Sequence, residues 1–505
     1  MLDILFIHSN ASKKIYQDLS KNHSAIEPPI WAGLLNTACK KKNYVTLILD
    51  CEANQYNEEQ SVKIISELKP KIACFVVYGQ QPSASSQNME GAVSISRILK
   101  KEYSNIKILF VGGHVAALPV PTMKNEDSID FLCTNEGVYT ILNLLKIQDL
   151  SKDEYLKKVK GLCFRDKDKN IILNEPEMIV PKSLLEVDLP GIDWALMPDI
   201  KKYRTAGWHS WTNDGIKTPF ASLYTSLGCP YKCSFCMINI INRVNHSENI
   251  TSENSNIFRW WSPDFIINQF DFFAKNSIKN IKIADELFVL NPNHFIKICD
   301  LIIERGYDFN IWAYSRVDTC KKEYLEKLYK AGVKWLALGI ESPRDLIRKE
   351  VQKDSFKEVK IMETIRTIEK SGINVAANYI FGLSNETNES MKFTLDFAME
   401  ANTAMVNFYT AMAYPGSPLY LEAKAKNTPL PQNYSGFSQH SKDTLNLPSD
   451  NLSSGEILKF RDMAWTKYHT NPKYLEMIKI KFGKNAHKNL LETTGIKLQR
   501  NNYSF

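Results

Sequence analysis

The chain has 505 residues, of which 44% are hydrophobic and 24% are charged, and its formal net charge is +7. This length exceeds one ordinary core, so we expect two or three domains of a soluble globular protein. The basic excess is too small and too evenly spread to indicate a nucleic-acid partner. The N-terminus, Met1–Ile7, is typical of a strand rather than of a signal peptide, and no apolar run approaches the ~20 residues that span a bilayer. A cytoplasmic protein without a transmembrane segment is therefore expected.

Residues 1–150 alternate short apolar runs with helical stretches. The predicted strands are 3–8, 45–50, 72–78, 106–112 and 129–133. This alternation predicts an α/β domain, a Rossmann-like doubly wound parallel sheet. Such sheets bind ligands at the carboxyl ends of their strands. Small and polar residues follow three of the strands there, namely Ser9 and Asn10, Gly79 and Gln80, and Gly112 and Gly113.

Residues 151–218 are predicted to connect two domains. The segments 159–165 and 170–173 are expected to pair as a hairpin around a charged turn, and the prolines that follow indicate an irregular stretch. The aromatic sequence Trp208-His209-Ser210-Trp211 lies at the end of this connector. We interpret it as interdomain packing, with a place near an active site as the alternative.

Residues 219–420 again alternate strands and helices. The predicted strands are 220–225, 281–284, 311–315, 333–340, 375–381 and 405–412, which indicates a partial or full parallel barrel. Barrel active sites lie at the carboxyl ends of the strands, where the sequence places Glu286, Arg316, Glu341 and Asn378. The polar stretch 239–256 is expected to be a flexible insertion or lid. Residues 421–505 are predicted to form a linker and a helical C-terminal extension.

Three cysteines, Cys229, Cys233 and Cys236, follow the first barrel strand with the spacing C-x3-C-x2-C, and Phe235 precedes the last of them. Three thiolates on one loop can hold three irons of a 4Fe–4S cluster and leave the fourth iron open for chemistry. A zinc site would need a fourth ligand, such as His209 or His246. A disulfide would leave one cysteine over and would need an oxidising compartment.

This cysteine loop resembles the cluster loop of the radical S-adenosylmethionine (SAM) enzymes, in which SAM chelates the open iron. Further segments resemble the cobalamin-binding subclass of that family, and they are Pro28–Leu34, Val111–Pro119, Asn135–Gly137, Gly339–Ser342, Phe381–Thr387 and Tyr414–Tyr420. The resemblance covers residues 1–420 and implies a cobalamin-binding N-terminal domain before a radical SAM (β/α)6 partial barrel.

The resemblance implies three cofactors: a 4Fe–4S cluster, SAM and cobalamin. Cys229, Cys233 and Cys236 are the expected cluster ligands, and the SAM site is expected to include Glu286, Arg316, Glu341 and Asn378. The expected cobalamin residues are Ser9, Asn10, Gly79, Gln80, Gly112, Gly113 and Glu136. A buried salt bridge inside the barrel is the alternative for Arg316 and for Glu341.

Two departures from the family pattern affect these expectations. The loop after the first strand reads His8-Ser9-Asn10-Ala11 and lacks the Asp-x-His-x-x-Gly motif that ligates cobalt in many cobalamin domains, so a histidine-free binder is expected. His114 is predicted to be a loop or core histidine. The Gly-Gly-Glu of many radical SAM enzymes is replaced by Ala284-Asp285-Glu286, which leaves the contact to the SAM amino group open.

The activity that the resemblance implies is methylation of an unactivated carbon, or of a phosphinate phosphorus, in a small-molecule substrate. An oxidative cyclase or rearrangement enzyme that uses the same cofactors is the first alternative. A non-catalytic iron–sulfur or ligand-sensing protein is an alternative of another class. A monomer that receives electrons from a reducing partner such as flavodoxin or ferredoxin is expected.

Overall fold

The computed structural model describes residues 2–79, 81, 83–245, 257–353 and 355–503. The predicted residue Gln80 and most of the predicted lid, residues 246–256, lie outside the described residues. Within the described part of the chain, no helix combines the length and the apolar character that crossing a bilayer requires.

The N-terminal domain is built on one seven-stranded sheet in the order β2-β1-β3-β4-β5-β6-β7. The strands are β1 (Ile4–His8), β2 (Thr46–Asp50), β3 (Ile72–Val76), β4 (Lys107–Val111), β5 (Phe131–Cys133), β6 (Leu162–Arg165) and β7 (Ile171–Leu173). The first five are parallel, and β6 and β7 are antiparallel. The predicted hairpin is confirmed, and it extends the sheet past residue 150.

Nine helices of the N-terminal domain are described: α1 (Ser12–Tyr16), α2 (Leu19–Asn22), α3 (Ile30–Lys41), α4 (Glu58–Leu68), α5 (Ala84–Glu102), α6 (Gly113–Ala117), α7 (Pro119–Asn125), α8 (Val138–Leu145) and α9 (Asp153–Leu156). Strand order 2-1-3-4-5 places the topological switch point between β1 and β3, where open sheets of this kind bind ligands. The loops that follow these two strands therefore flank the expected crevice.

The connector carries two short helices, α10 (Leu185–Asp188) and α11 (Gly207–Ser210), and four 3-10 turns. Its aromatic residues pack against the barrel. The Trp208 ring lies 4.6 Å from the Trp312 ring and 5.0 Å from the Trp335 ring, and the buried His209 Nε2 is 2.9 Å from the carbonyl of Asn310. The packing interpretation of this aromatic sequence is thus confirmed, and Trp208 and Trp211 also line the cavity that the three cysteines line, which agrees with the alternative.

The barrel is a six-stranded, all-parallel sheet in the order β8-β11-β12-β13-β14-β15. Its strands are β8 (Phe220–Leu223), β11 (Asn280–Ile283), β12 (Asn310–Arg316), β13 (Val333–Glu341), β14 (Asn374–Phe381) and β15 (Met405–Thr410), and a separate antiparallel pair joins β9 (Ser226–Leu227) to β10 (Arg259–Trp260). All six predicted barrel strands are confirmed to within two residues. In the described residues β8 and β15 do not pair, so the barrel is open.

The barrel helices are α12 (Pro263–Lys275), α13 (Pro292–Glu304), α14 (Lys322–Lys330), α15 (Asp345–Glu350), α16 (Glu358–Lys370) and α17 (Asn388–Ala401). The C-terminal extension adds α18 (Pro418–Ala425), α19 (Ser454–His469) and α20 (Pro472–Thr494). Helix α19 begins with the predicted capping box of Ser453 and Glu456 and packs on β15.

The N-terminal sheet buries both of its faces, but in different cores. Along β1, Ile4 and Phe6 belong to a large core that continues into the connector and the barrel, whereas Leu5 and Ile7 belong to a second core on the opposite face. This division follows from the alternation of side chains along a strand. The N-terminal domain and the barrel therefore share a continuous apolar core.

Candidate functional site

The cysteine loop lies at the carboxyl end of β8 and is held by backbone contacts. Asn239 accepts a hydrogen bond from the Cys229 amide at 3.1 Å and donates one to the Cys229 carbonyl at 2.9 Å. The Cys236 amide donates to the Cys233 carbonyl at 3.0 Å, which forms a tight turn between the last two cysteines. All three cysteines line one cavity.

Burial keeps these three thiols protonated when no cluster is bound. It raises the pKa of all three, and that of Cys229 to about 12. For Cys233, the cations Lys353 and Arg316 act against burial. Iron is expected to displace the thiol protons, because thiolates are the ligands of iron–sulfur clusters.

The ten cysteines form no disulfide, and the described residues contain no group of three or more His, Cys, Asp or Glu side chains arranged to hold a single metal ion. A single ion needs its donor atoms around one point, as the zinc alternative requires. A cluster differs because each of its irons takes its own thiolate. The three-cysteine loop therefore fits a cluster better than a lone ion.

Glu286 is the predicted SAM residue whose carboxylate has one oxygen without a partner. It follows β11 and lines the cavity, and its buried Oε2 has no hydrogen-bond partner. Burial raises its pKa to about 8. The neighbouring Asp285 is satisfied, since it accepts hydrogen bonds from Thr225, between β8 and β9, and from Ser226, the first residue of β9. Glu286 is thus an acceptor turned towards the cavity beside the cysteine loop.

Arg316, at the end of β12, is already engaged by protein groups. Its Nε and Nη2 donate to the two carboxylate oxygens of Asp318 at 2.8 and 3.0 Å, and its Nη1 lies 3.8 Å from the Cys233 Sγ. The guanidinium also stacks on the ring of Tyr231, at 3.8 Å. The buried ion pair that the sequence left as an alternative is present, and the guanidinium faces a predicted cluster ligand.

Glu341 and Asn378 also line the cavity with protein partners of their own. Glu341 forms a buried ion pair with Lys353 and has a positive φ of 64°, next to a register shift between β13 and β14. The Asn378 Oδ1 accepts a hydrogen bond from Asn407 at 2.9 Å. The structure thus brings all four predicted SAM residues to the cavity that holds the cysteines.

This cavity has a volume of about 1270 Å³ and is continuous across the domains. Its walls come from the switch point of the N-terminal sheet, the carboxyl ends of the barrel strands, and helices α19 and α20. The volume exceeds the ~300–1,000 Å³ of an ordinary small-molecule pocket. The cavity is therefore large enough for more than one ligand.

Two predicted cobalamin residues, Ser9 and Gly79, line this cavity on either side of the switch point. A Cβ at Gly79 would collide with Ala84 and would lie 2.6 Å from the Gln81 carbonyl oxygen. Asn10 lies in the same loop as Ser9 but points into the fold, where its Oδ1 accepts hydrogen bonds from Ser12. Gly79 thus lines the cavity, and the loop after β3 packs too closely to accept a side chain at this position.

Three other predicted cobalamin residues lie away from the cavity lining. Gly112 and Gly113 allow close packing within the protein, because a Cβ would lie 2.5 Å from the Val77 carbonyl oxygen in the first case and 2.8 Å from Met237 in the second. Glu136 is fully buried and pairs with Arg259 at 2.6 Å. These residues follow β4 and β5, which are farther from the switch point than β1 and β3.

Neither His114 nor His8 is free. His114 does not line the cavity; its Nδ1 is 2.9 Å from the Ser86 Oγ, and burial lowers its pKa to about 4. His8 does line the cavity, but its Nε2 is 3.2 Å from Glu52. Burial disfavours the charged form of His8, while Asp50 and Glu52 outweigh it and raise the pKa.

Sequence reasoning missed a second set of cavity residues. Lys282 in β11 is buried and pairs across the domain interface with Glu27 at 3.1 Å, and its ammonium lies 4.5 Å from the centre of the Trp312 ring. Lys353 and Arg461 were also missed. A lysine inside a strand could have suggested an inward-facing charge, but the partners come from distant parts of the chain.

Comparison with known proteins agrees with this geometry. Residues 223–398 match the family model of the radical SAM superfamily. The chain is 26% identical, over 89% of both chains, to an uncharacterized methyltransferase of Pyrococcus horikoshii. It is 23% identical to the anaerobic magnesium-protoporphyrin IX monomethyl ester cyclase of Rubrivivax gelatinosus, over 94% of this chain and 78% of the cyclase.

Among solved structures, the fold is similar to that of the cobalamin-dependent SAM radical enzyme OxsB with aqua-cobalamin and SAM bound. The TM-score is 0.64 at 15% identity, and the match covers 97% of this chain and 72% of OxsB. The three-cysteine loop and the open six-stranded barrel lie within the segment that matches the radical SAM superfamily. The N-terminal domain and the barrel together have the fold of a cobalamin-dependent SAM radical enzyme.

Proposed function

We propose that this protein is a cobalamin-dependent radical SAM C-methyltransferase, acting on an unactivated carbon or a phosphinate of a small-molecule substrate. The observation that carries the proposal is the cavity that joins the cysteine loop, the Glu286 carboxylate with its unpartnered Oε2, and the switch point of the N-terminal sheet. A methyl donor bound at one end can there meet a substrate radical formed at the other.

The residues of this chain fit the three cofactors. Cys229, Cys233 and Cys236 would hold the cluster, Glu286 would accept hydrogen bonds from SAM, and the loops after β1 and β3 would hold the corrinoid through Ser9 and Gly79. When bound, the cluster with SAM supplies a radical and cobalamin supplies a methyl group. The protein positions these groups and excludes water from the cavity.

The proposal includes the cellular location of the protein, its oligomeric state and its electron donor. Ten cysteines without a disulfide suit a reducing cytoplasm, which we propose as the location of the protein. We expect it to act as a monomer and to receive electrons from a flavodoxin or a ferredoxin.

The test is anaerobic reconstitution of the full chain with iron, sulfide and hydroxocobalamin, followed by desalting and assay of all three. We expect about four irons, as one 4Fe–4S cluster requires, and one cobalamin per chain. The Cys229/Cys233/Cys236→Ala triple variant is the matched control and should lose the iron but keep the cobalamin. Four irons without cobalamin would contradict methyl transfer from cobalamin.

A second candidate function is an oxidative cyclisation or rearrangement with the same cofactors. The similarity to the Rubrivivax gelatinosus cyclase over 94% of the chain favours keeping it. Product mass separates the two activities, because a methyltransferase adds one methylene unit to its substrate and a cyclase does not. A non-catalytic iron–sulfur or sensing protein would cleave no SAM at all.

A further inference from the structure

Cys233 lies beside a cation that the fold holds in one orientation. The Arg316 Nη1 is 3.8 Å from the Cys233 Sγ, and its guanidinium is buried. Asp318 holds the guanidinium from one side through two hydrogen bonds, and the Tyr231 ring supports its face at 3.8 Å. Ser355 contacts both members of the pair. Arg316 therefore cannot turn towards another anion without giving up these contacts.

A second buried cation is arranged in a similar way. The Lys353 ammonium pairs with the Glu341 carboxylate, and both side chains are less than a tenth exposed. A Cβ at Gly339 would lie 2.7 Å from the Lys353 Nζ, so the glycine makes room for the ammonium. Lys353 and Arg316 line the same cavity as Cys233, and both cations favour its thiolate form.

The reduction potential of an iron–sulfur cluster depends on nearby charge and on hydrogen bonds to its sulfurs. Reduction of an oxidised 4Fe–4S cluster by a flavodoxin or ferredoxin adds one electron and no proton, so the cluster becomes one unit more negative. A buried cation stabilises the reduced form, because screening is weak in the interior.

We propose that Arg316, positioned by Asp318, and Lys353, positioned by Glu341, set the reduction potential of the cluster through Cys233. Arg316 is then a positioning residue of the cluster and not the clamp of the SAM carboxylate that its place in the sequence suggests. This inference rests on the proposed function only in requiring a cluster at the three cysteines.

Within each ion pair, replacing the cation and replacing the anion should shift the reduction potential of the cluster in opposite directions. Arg316→Gln leaves the Asp318 charge uncompensated near the cluster and should lower the potential. Asp318→Asn leaves the Arg316 charge uncompensated and should raise it. Lys353→Gln and Glu341→Gln should repeat this pattern, and they provide the test if either variant of the first pair fails to assemble. A general structural disturbance would not be expected to shift the reduction potential in opposite directions for the two members of a pair.

The experiment is a redox titration of the reconstituted full chain without SAM, followed by electron paramagnetic resonance of the reduced cluster. Arg344→Gln is the control, since the exposed Arg344 stacks on Phe393 outside the cavity; its potential should equal that of the wild type. Opposite shifts within a pair are the expected result. Unchanged potentials, or equal shifts in one direction, with four irons bound would overturn the inference while leaving the proposed function standing. A wild-type protein that binds no cluster would overturn both.

Discussion

Replacing Glu136 with glutamine is expected to destabilise the protein without affecting cobalamin binding. Glu136 accepts hydrogen bonds from the Val180 amide at 2.7 Å and from Arg259 at 2.6 and 3.3 Å, and both members of the ion pair are at most 2% exposed. The substitution leaves the Arg259 charge buried and unpaired. Breaking a buried pair in this way costs about 3–5 kcal/mol.

The cost should be local, so the assay is native-state hydrogen exchange of the amides around α8 and β10. The Glu136→Gln variant should lower the opening free energy there by roughly 3–5 kcal/mol. The Glu136→Gln/Arg259→Met double variant, which removes both charges, should recover most of the loss. The reasoning fails if the single variant exchanges like the wild type, or if it weakens retention of hydroxocobalamin while its exchange is unchanged.

Glu286→Gln should remove a pH dependence of stability: burial raises the pKa of Glu286 from 4.5 to about 8, so the folded state binds more protons across that window. Stability of the wild type, measured by urea unfolding of the apo protein, should fall relative to the variant as pH rises from 5 to 8.5. At ~1.4 kcal/mol per pKa unit, the loss in unfolding free energy relative to the variant cannot exceed roughly 5 kcal/mol. A difference in stability between wild type and variant that does not change with pH would contradict a raised pKa of Glu286. Gly79→Ala should reduce the cobalamin retained after desalting severalfold, because the added Cβ collides with Ala84 and distorts the loop after β3 that lines the crevice. The control Gly495→Ala, whose added Cβ meets its neighbours at 3.4 Å or more, should retain as much as the wild type; equal retention by both variants would show that cobalamin binding does not depend on this loop.

The sequence predicts the strands of both sheets well, because buried parallel strands leave apolar runs of recognisable length. It cannot predict strand order. Ser9 and Gly79 reach the cavity because β1 and β3 meet at the switch point, whereas Gly112, Gly113 and Glu136 follow strands farther along the same sheet. In the sequence all five look like loop residues at strand ends, and only the order of the strands distinguishes those at the ligand crevice from those at a packed interface.

The cation pairs at the cysteine loop show a second limit. Asp318 lies two residues from Arg316, so this pairing could have been predicted from spacing alone. Lys353 lies twelve residues from Glu341, beyond α15, and nothing in its neighbourhood marks it as buried. Polar residues at strand ends indicate where a site is, but their mutual pairing decides which of them remains available to a ligand.

That distinction leaves Glu286 as the predicted SAM residue with an open acceptor, and it makes the site depend on both domains. The barrel supplies Glu286 and the cysteines, but the buried Lys282 of the same cavity is neutralised by Glu27 of the N-terminal domain. The two domains also share one apolar core through residues such as Ile4 and Phe6. An isolated barrel would expose this apolar face and leave Lys282 unpaired, both of which are costly. The N-terminal domain is therefore a structural part of the barrel's site as well as the carrier of a cofactor.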